Sequence, residues 1–122
     1  MKKFSFNKKE EMTVDVYNLS HCSNKGGYYG KAEVIETPYH YFLRSYNTIV
    51  CGIDRATNTF QRYWGGESAT TMKHINSFLR DFNMSGGGVH WWRNQAIIDP
   101  SKTEFDIADK IADNATFNAT YY

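Results

Sequence analysis

Residues 46–82 read YNTIVCGIDRATNTFQRYWGGESATTMKHINSFLRDF, and this stretch decides the fold. Its second half carries Met72, Ile75, Leu79 and Phe82 at the i, i+3, i+7, i+10 spacing of one helix face. Phe78 widens that stripe, whereas Lys73, Asn76, Ser77, Arg80 and Asp81 fall mostly on the other side. Ser68, Thr70 and Thr71 are candidate N-caps, since a side-chain oxygen there accepts an otherwise orphan backbone N–H. Asn83 and Gly86-Gly87-Gly88 stop the run, because such residues take the left-handed conformation of a helix exit. The pattern predicts a helix over Thr70–Asn83.

The first half predicts a hairpin. Ile49, Cys51 and Ile53 share one face by the period of two, with Val50, Gly52 and Asp54 opposite. Arg55-Ala56-Thr57-Asn58 is polar and of hairpin-loop length, and Thr59–Trp64 returns with Phe60, Tyr63 and Trp64. Gly65-Gly66 then turns the chain toward the helix. A helix laid across one face begins the core that a bare hairpin lacks in water.

On the N-terminal side, Met12–Tyr17 alternates Met12, Val14 and Val16 against Thr13, Asp15 and Tyr17 and reads as a half-buried strand. Met1–Glu11 reads as a flexible arm and Asn18–Gly30 as a loop. Lys31–Glu36 is a second strand, which Pro38 separates from a third at Tyr39–Arg44. On the C-terminal side, Met84–Asp99 lacks any sustained period, which places Trp91, Trp92 and Arg93 on a glycine-tethered loop. Ser101-Lys102-Thr103-Glu104 has the capping-box form, with Phe105, Ala108, Ile111 and Ala112 as a narrow apolar stripe behind it. Residues 115–122 read as a tail or a last edge strand. The expectation is one α+β domain over residues 1–122: an antiparallel sheet of four or five strands, a main amphipathic helix on one face, and a shorter C-terminal helix.

A formal charge of +1 excludes a strongly basic nucleic-acid binder. The charge is uneven, however: residues 1–98 hold 12 Lys/Arg against 8 Asp/Glu, and residues 99–122 hold 2 against 5. No apolar run reaches secretory or membrane length, so a cytoplasmic location and reduced Cys22 and Cys51 are expected, with no membrane partner.

Chemistry-bearing residues are sparse in pattern. His21, Cys22, Cys51, His74 and His90 are scattered or adjacent, without the paired spacing of zinc ligands, so no metal or cofactor is expected. Cys51 sits mid-strand as a small hydrophobe, and Cys22 beside His21 has no assured hydrogen-bond geometry, so no catalytic residue is assigned. The glycine run leaves a helix instead of feeding one, which is not the arrangement of a phosphate cradle. A macromolecular partner fits better. Trp91, Trp92 and Arg93 are residue types that dominate binding hot spots, with Arg62 and Tyr63 as further contacts. Asp106, Asp109 and Asp113 form an acidic stripe, either a solvated helix face or a contact for a basic partner. Interleaved Arg62, Trp64, Trp91 and Arg93 also suit a single-strand nucleic-acid binder, unless the tryptophans simply fill the core.

The runs SYNTIVCGID (45–54) and RYWGGESATTMKHINSFLRDF (62–82) resemble a family of small uncharacterised proteins of phages, plasmids and other mobile elements of low-GC Gram-positive bacteria. The matching positions are Ser45, Tyr46, Thr48, Val50, Ile53, Asp54, Trp64, Gly66, Ser68, Ala69, Thr70, Thr71, His74, Ile75, Phe78 and Leu79. That resemblance brings no activity and implies a setting: a short accessory protein of a mobile element. In size and placement of charge the chain is similar to inhibitors of CRISPR nucleases. Such an inhibitor need only cover a basic channel or a mobile nuclease domain of a Cas9-type enzyme. The expected function is therefore non-enzymatic inhibition of a host defence nuclease, with a single-stranded nucleic-acid-binding accessory protein as the alternative.

Overall fold

Strands β1 (Lys2–Ser5), β2 (Glu11–Asn18), β3 (Ala32–Glu36), β4 (His40–Ser45), β5 (Thr48–Asp54) and β6 (Thr59–Arg62) pair antiparallel in sequence order. The computed structural model describes residues 2–5, 11–19, 32–100 and 104–112. His21, Cys22 and most of the expected 18–30 loop lie outside the described residues, as do Ser101, Asp113 and the 115–122 segment. The α+β class is as expected, with a five-strand meander β2–β6. The expected N-terminal arm is corrected: Lys2–Ser5 adds a sixth strand against Glu11–Val14.

Helix α1 (Ala69–Asp81) forms where the apolar spacing puts it. Ser68 is the N-cap, its Oγ accepting the Thr71 N–H at 3.2 Å. At the other end Asn83 takes φ 57°, which lets its N–H reach the Arg80 carbonyl and the Met84 N–H reach the Leu79 carbonyl at 2.8 Å. Two carbonyls that the helix would otherwise orphan are thereby satisfied. The hairpin loop also forms as read: the Asp54 carboxylate accepts the N–H groups of Ala56 and Thr57, and Asn58 takes φ 56°.

Both faces of the sheet are covered. On one, Met72, Ile75, Phe78 and Leu79 of α1 pack on Ala32, Val34, Leu43, Cys51 and Ile53. On the other, helix α3 (104–112) sets Ala108, Ile111 and Ala112 against Val14, Ile35, Phe42 and Ile49. Covering both sides lets β4 bury residues on each: Leu43 faces α1 and Phe42 faces α3.

The expected alternation of β5 is overturned at one point. Leu43 pairs with Cys51 but Arg44 pairs with Ile49, so Val50 is an extra residue in the ladder. A bulge of this kind reverses the face of everything beyond it. Ile49 therefore belongs to the α3 side, and Val50 joins Cys51 and Ile53 on the α1 side. The freed Val50 carbonyl accepts the N–H groups of both Tyr63 and Trp64, which fixes the exit from β6.

The glycine-tethered loop is also corrected. Val89–Arg93 is a short helix, α2, packed on the α1 side of the sheet. Gly86 precedes it at φ 113°, and a Cβ there would lie 2.4 Å from the Trp91 ring. Five residues are too few to show a helical period, which is why the sequence pattern misses α2.

Candidate partner-binding surface

The expected contact residues separate into an inner and an outer group. Trp92 is fully buried, with its indole N–H donating to the Gly66 carbonyl at 2.7 Å. The Arg62 guanidinium lies 4.3 Å over the Trp92 ring. It donates to the carbonyls of Trp64, Trp92 and Gln95, so it caps the C-terminal end of α2 from the sheet edge. Trp92 and Arg62 are thus corrected from partner contacts to interior pins. Tyr63 is half-buried against Phe42 and Phe105, and its hydroxyl donates to Gln61 at 2.6 Å. Burial pushes that phenol up from its ordinary pKa.

The outer group sits at the corner that Gly65 and Gly66 make. Arg93 is exposed and grips Glu67 through three hydrogen bonds of 2.6–3.1 Å. That pairing lowers the Glu67 pKa and raises that of Arg93. Beside them the chain returns to the sheet edge: Ile97 bridges Arg62 in parallel, and the Ile98 N–H donates to the Arg62 carbonyl at 2.9 Å. Ile97 remains 56% exposed and Ile98 39%, with Ile97 seated on Gly65. Trp91 leans half-buried on Phe60, and His90 stands exposed on the same helix. Sequence pattern missed Glu67, Ile97 and Ile98; the adjacent isoleucines just before Asp99-Pro100 were the available signal.

Among the described residues, a hydroxyl–imidazole cluster and the Cys51 thiol lie inside. Ser45 Oγ is 2.8 Å from His74 Nδ1 and 3.0 Å from Thr71 Oγ1, and all three residues are buried. Tyr46, at φ 56° in the two-residue β4–β5 turn, lays its ring beside His74. The cluster joins the end of β4 to α1, the two stretches that carry the motif resemblance. Cys51 is wholly buried, and desolvation pushes its thiol well above the ordinary pKa, away from thiolate reactivity.

The acidic stripe is likewise divided. Asp106 is exposed, whereas Asp109 is half-buried with a carboxylate oxygen 3.5 Å from Nε of the buried Arg44. Arg44 also donates to Glu33 at 3.2 Å. At the start of α3, Glu104 accepts from the Thr37 hydroxyl and lies 3.0 Å from His40 Nδ1. The Glu104 hydrogen bond outweighs desolvation and raises the His40 pKa above its ordinary 6.5. Asp54 and Gln61 face the same imidazole and act in the same direction.

A pH dependence follows, with its sign set by that shift. A folded-state pKa above the unfolded one gives stability that is whole below pH 6.5 and is lost as pH climbs through the folded value. Denaturant unfolding across roughly pH 6 to 8 is expected to show a falling midpoint that His40→Gln flattens. Equal slopes in the two proteins would remove His40 from the linkage.

Among the described residues no group of three or more His, Cys, Asp or Glu is placed to hold a metal ion, and no helix is long and apolar enough to cross a membrane. Comparison with curated proteins and with solved structures finds no match. A protein-family model matches residues 17–99, from the end of β2 through the bridge that Ile97 makes to Arg62. The match takes in α1, α2 and the Ile97–Ile98 surface and stops before α3. By that match over most of its length, the chain belongs to DUF8033, a family of unknown function.

Proposed function

We propose that the protein is a non-enzymatic binder that inhibits a host defence nuclease, with a Cas9-type RNA-guided nuclease as the partner, in the bacterial cytoplasm. The observation that carries the binding part is the corner surface. Exposed Ile97 sits on Gly65, two residues before Glu67, whose carboxylate is salt-bridged to Arg93, and all of these lie within the stretch that the family match covers. An aliphatic centre with a charged rim is the composition of a protein contact. The nuclease part is supported by the motif resemblance to mobile-element proteins. The single-strand nucleic-acid reading has less support, because Arg62 is engaged by backbone carbonyls and Arg93 is matched by Glu67.

The test mixes the purified protein with a panel of guide-loaded Cas9-type nucleases and reads co-elution and DNA cleavage. Co-elution with at least one nuclease and suppressed cutting are expected. Ile97→Asp with Arg93→Glu should weaken inhibition by about tenfold or more without moving the unfolding midpoint. No complex and undiminished cutting across the panel would end the proposal.

A further inference from the structure

After α2 the chain returns beside β6, and Ala96, Ile97, Ile98 and Asp99 are all exposed there. Three consecutive exposed apolar residues are out of place on a surface without a partner. The Ile98 N–H points inward and donates to the Arg62 carbonyl at 2.9 Å. Along extended backbone successive N–H groups alternate in direction, so the N–H and carbonyl of Ile97 point away from β6. Among the described residues neither group has a hydrogen-bond partner.

An open edge of this kind pairs with extended backbone unless it is blocked, and the usual blocks are lysine, proline or a bulge. Residues 95–99, QAIID, hold neither lysine nor proline. The leg also carries its outward donor and its outward acceptor on one residue, which makes it complementary to itself. In an antiparallel hydrogen-bonded pair, two facing residues exchange both N–H···O bonds. With Ile97 facing its own copy across a two-fold axis, each N–H meets the other carbonyl. The same register sets Ile98 against Ala96 and Asp99 against Gln95. Apolar side chains then face apolar ones, and each carboxylate faces a neutral amide instead of its own copy, so no like-charge contact opposes the pairing.

We propose that the 95–99 leg is a dimerisation edge, occupied by the same leg of a second copy running antiparallel about a two-fold axis through Ile97. Such a contact is isologous and closes on itself, so association stops at two. It joins the sheets of the two copies through their β6 ends and takes Ile97 and Ile98 out of water. It also covers the centre of the corner proposed above as the nuclease contact, so the two associations exclude each other. Dimerisation is measured without any nuclease, which keeps its absence distinguishable from an absence of inhibition.

Sedimentation of the full chain over a concentration series should show a monomer–dimer equilibrium and nothing larger. Ile97→Pro deletes the outward N–H and spares the inward Ile98 N–H, so it should weaken the dimer by about tenfold or more. Ile97→Lys and Ile97→Asp keep the N–H but set like charges opposite each other on the axis, and each alone should weaken pairing similarly. Mixed in equal amounts, these two charge variants should recover a dimer, because an acid then faces a base. They carry the test by themselves if the proline disturbs the fold. A monomer at every concentration up to about 1 mM, open assemblies larger than a dimer, or charge variants that pair as the parent does would each overturn the proposal. So would a mixture of the two charge variants that stays monomeric.

Discussion

Trp92→Ala lowers the unfolding free energy by about 3–5 kcal/mol. The indole is fully buried and touches three parts of the fold at once. Its N–H satisfies the Gly66 carbonyl at the corner, its face receives the Arg62 guanidinium, and its edge meets Phe60 at 6.3 Å. Truncation leaves a cavity and strips Arg62 of its ring partner. Trp92→Phe keeps most of the volume and loses the N–H, so its cost is about 1–3 kcal/mol. Trp91→Ala should cost less than Trp92→Ala, because the Trp91 ring is only half-buried. Urea unfolding of the three variants measures the order. A Trp92→Ala protein within about 1 kcal/mol of the parent would mean that α2 is not part of the cooperative core.

Arg44→Ala is expected to cost about 3–5 kcal/mol, because it removes the cation from a buried charge cluster and leaves the anions behind. Residue Arg44 is 1% exposed, and the Glu33 side chain that it pairs with is 14% exposed. The Asp109 side chain is 40% exposed, so water screens much of its share. Double-mutant cycles should accordingly give a larger coupling for Arg44 with Glu33 than for Arg44 with Asp109. Replacing Arg44, Glu33 and Asp109 together by apolar residues of similar volume should recover most of the loss, since no buried charge then remains unmatched. A triple variant as unstable as Arg44→Ala would show that shape, not charge, sets the cost.

Positions singled out in the runs 45–54 and 62–82 have internal work in this fold. Asp54 holds the hairpin loop, Ser68 caps α1, and Ser45 bonds to both Thr71 and His74 between sheet and helix. Ile53, Ile75, Phe78 and Leu79 are core, and Trp64 lies over Gly66. The motif is therefore a signature of how sheet and helix are joined. Among the exposed groups, Glu67 falls within the 62–82 run without being one of its matching positions, and Arg93, Ile97 and Ile98 lie beyond it.

Helix α1, its Ser68 and Asn83 ends, and the hairpin with its four-residue loop were legible in residue order, because each rests on neighbours within a turn or two. The face of Ile49 was not, since a single extra residue at Val50 reverses the strand parity. Nor was the burial of Trp92 and Arg62, which depends on α2 closing over the sheet edge from 30 residues away. The partners of His40 and Arg44 in α3 lie still further along the chain. Alternation states which face a side chain takes; only the folded chain brings to that face the carboxylate or ring that meets it, because such pairings are bought with long-range packing and leave no local pattern.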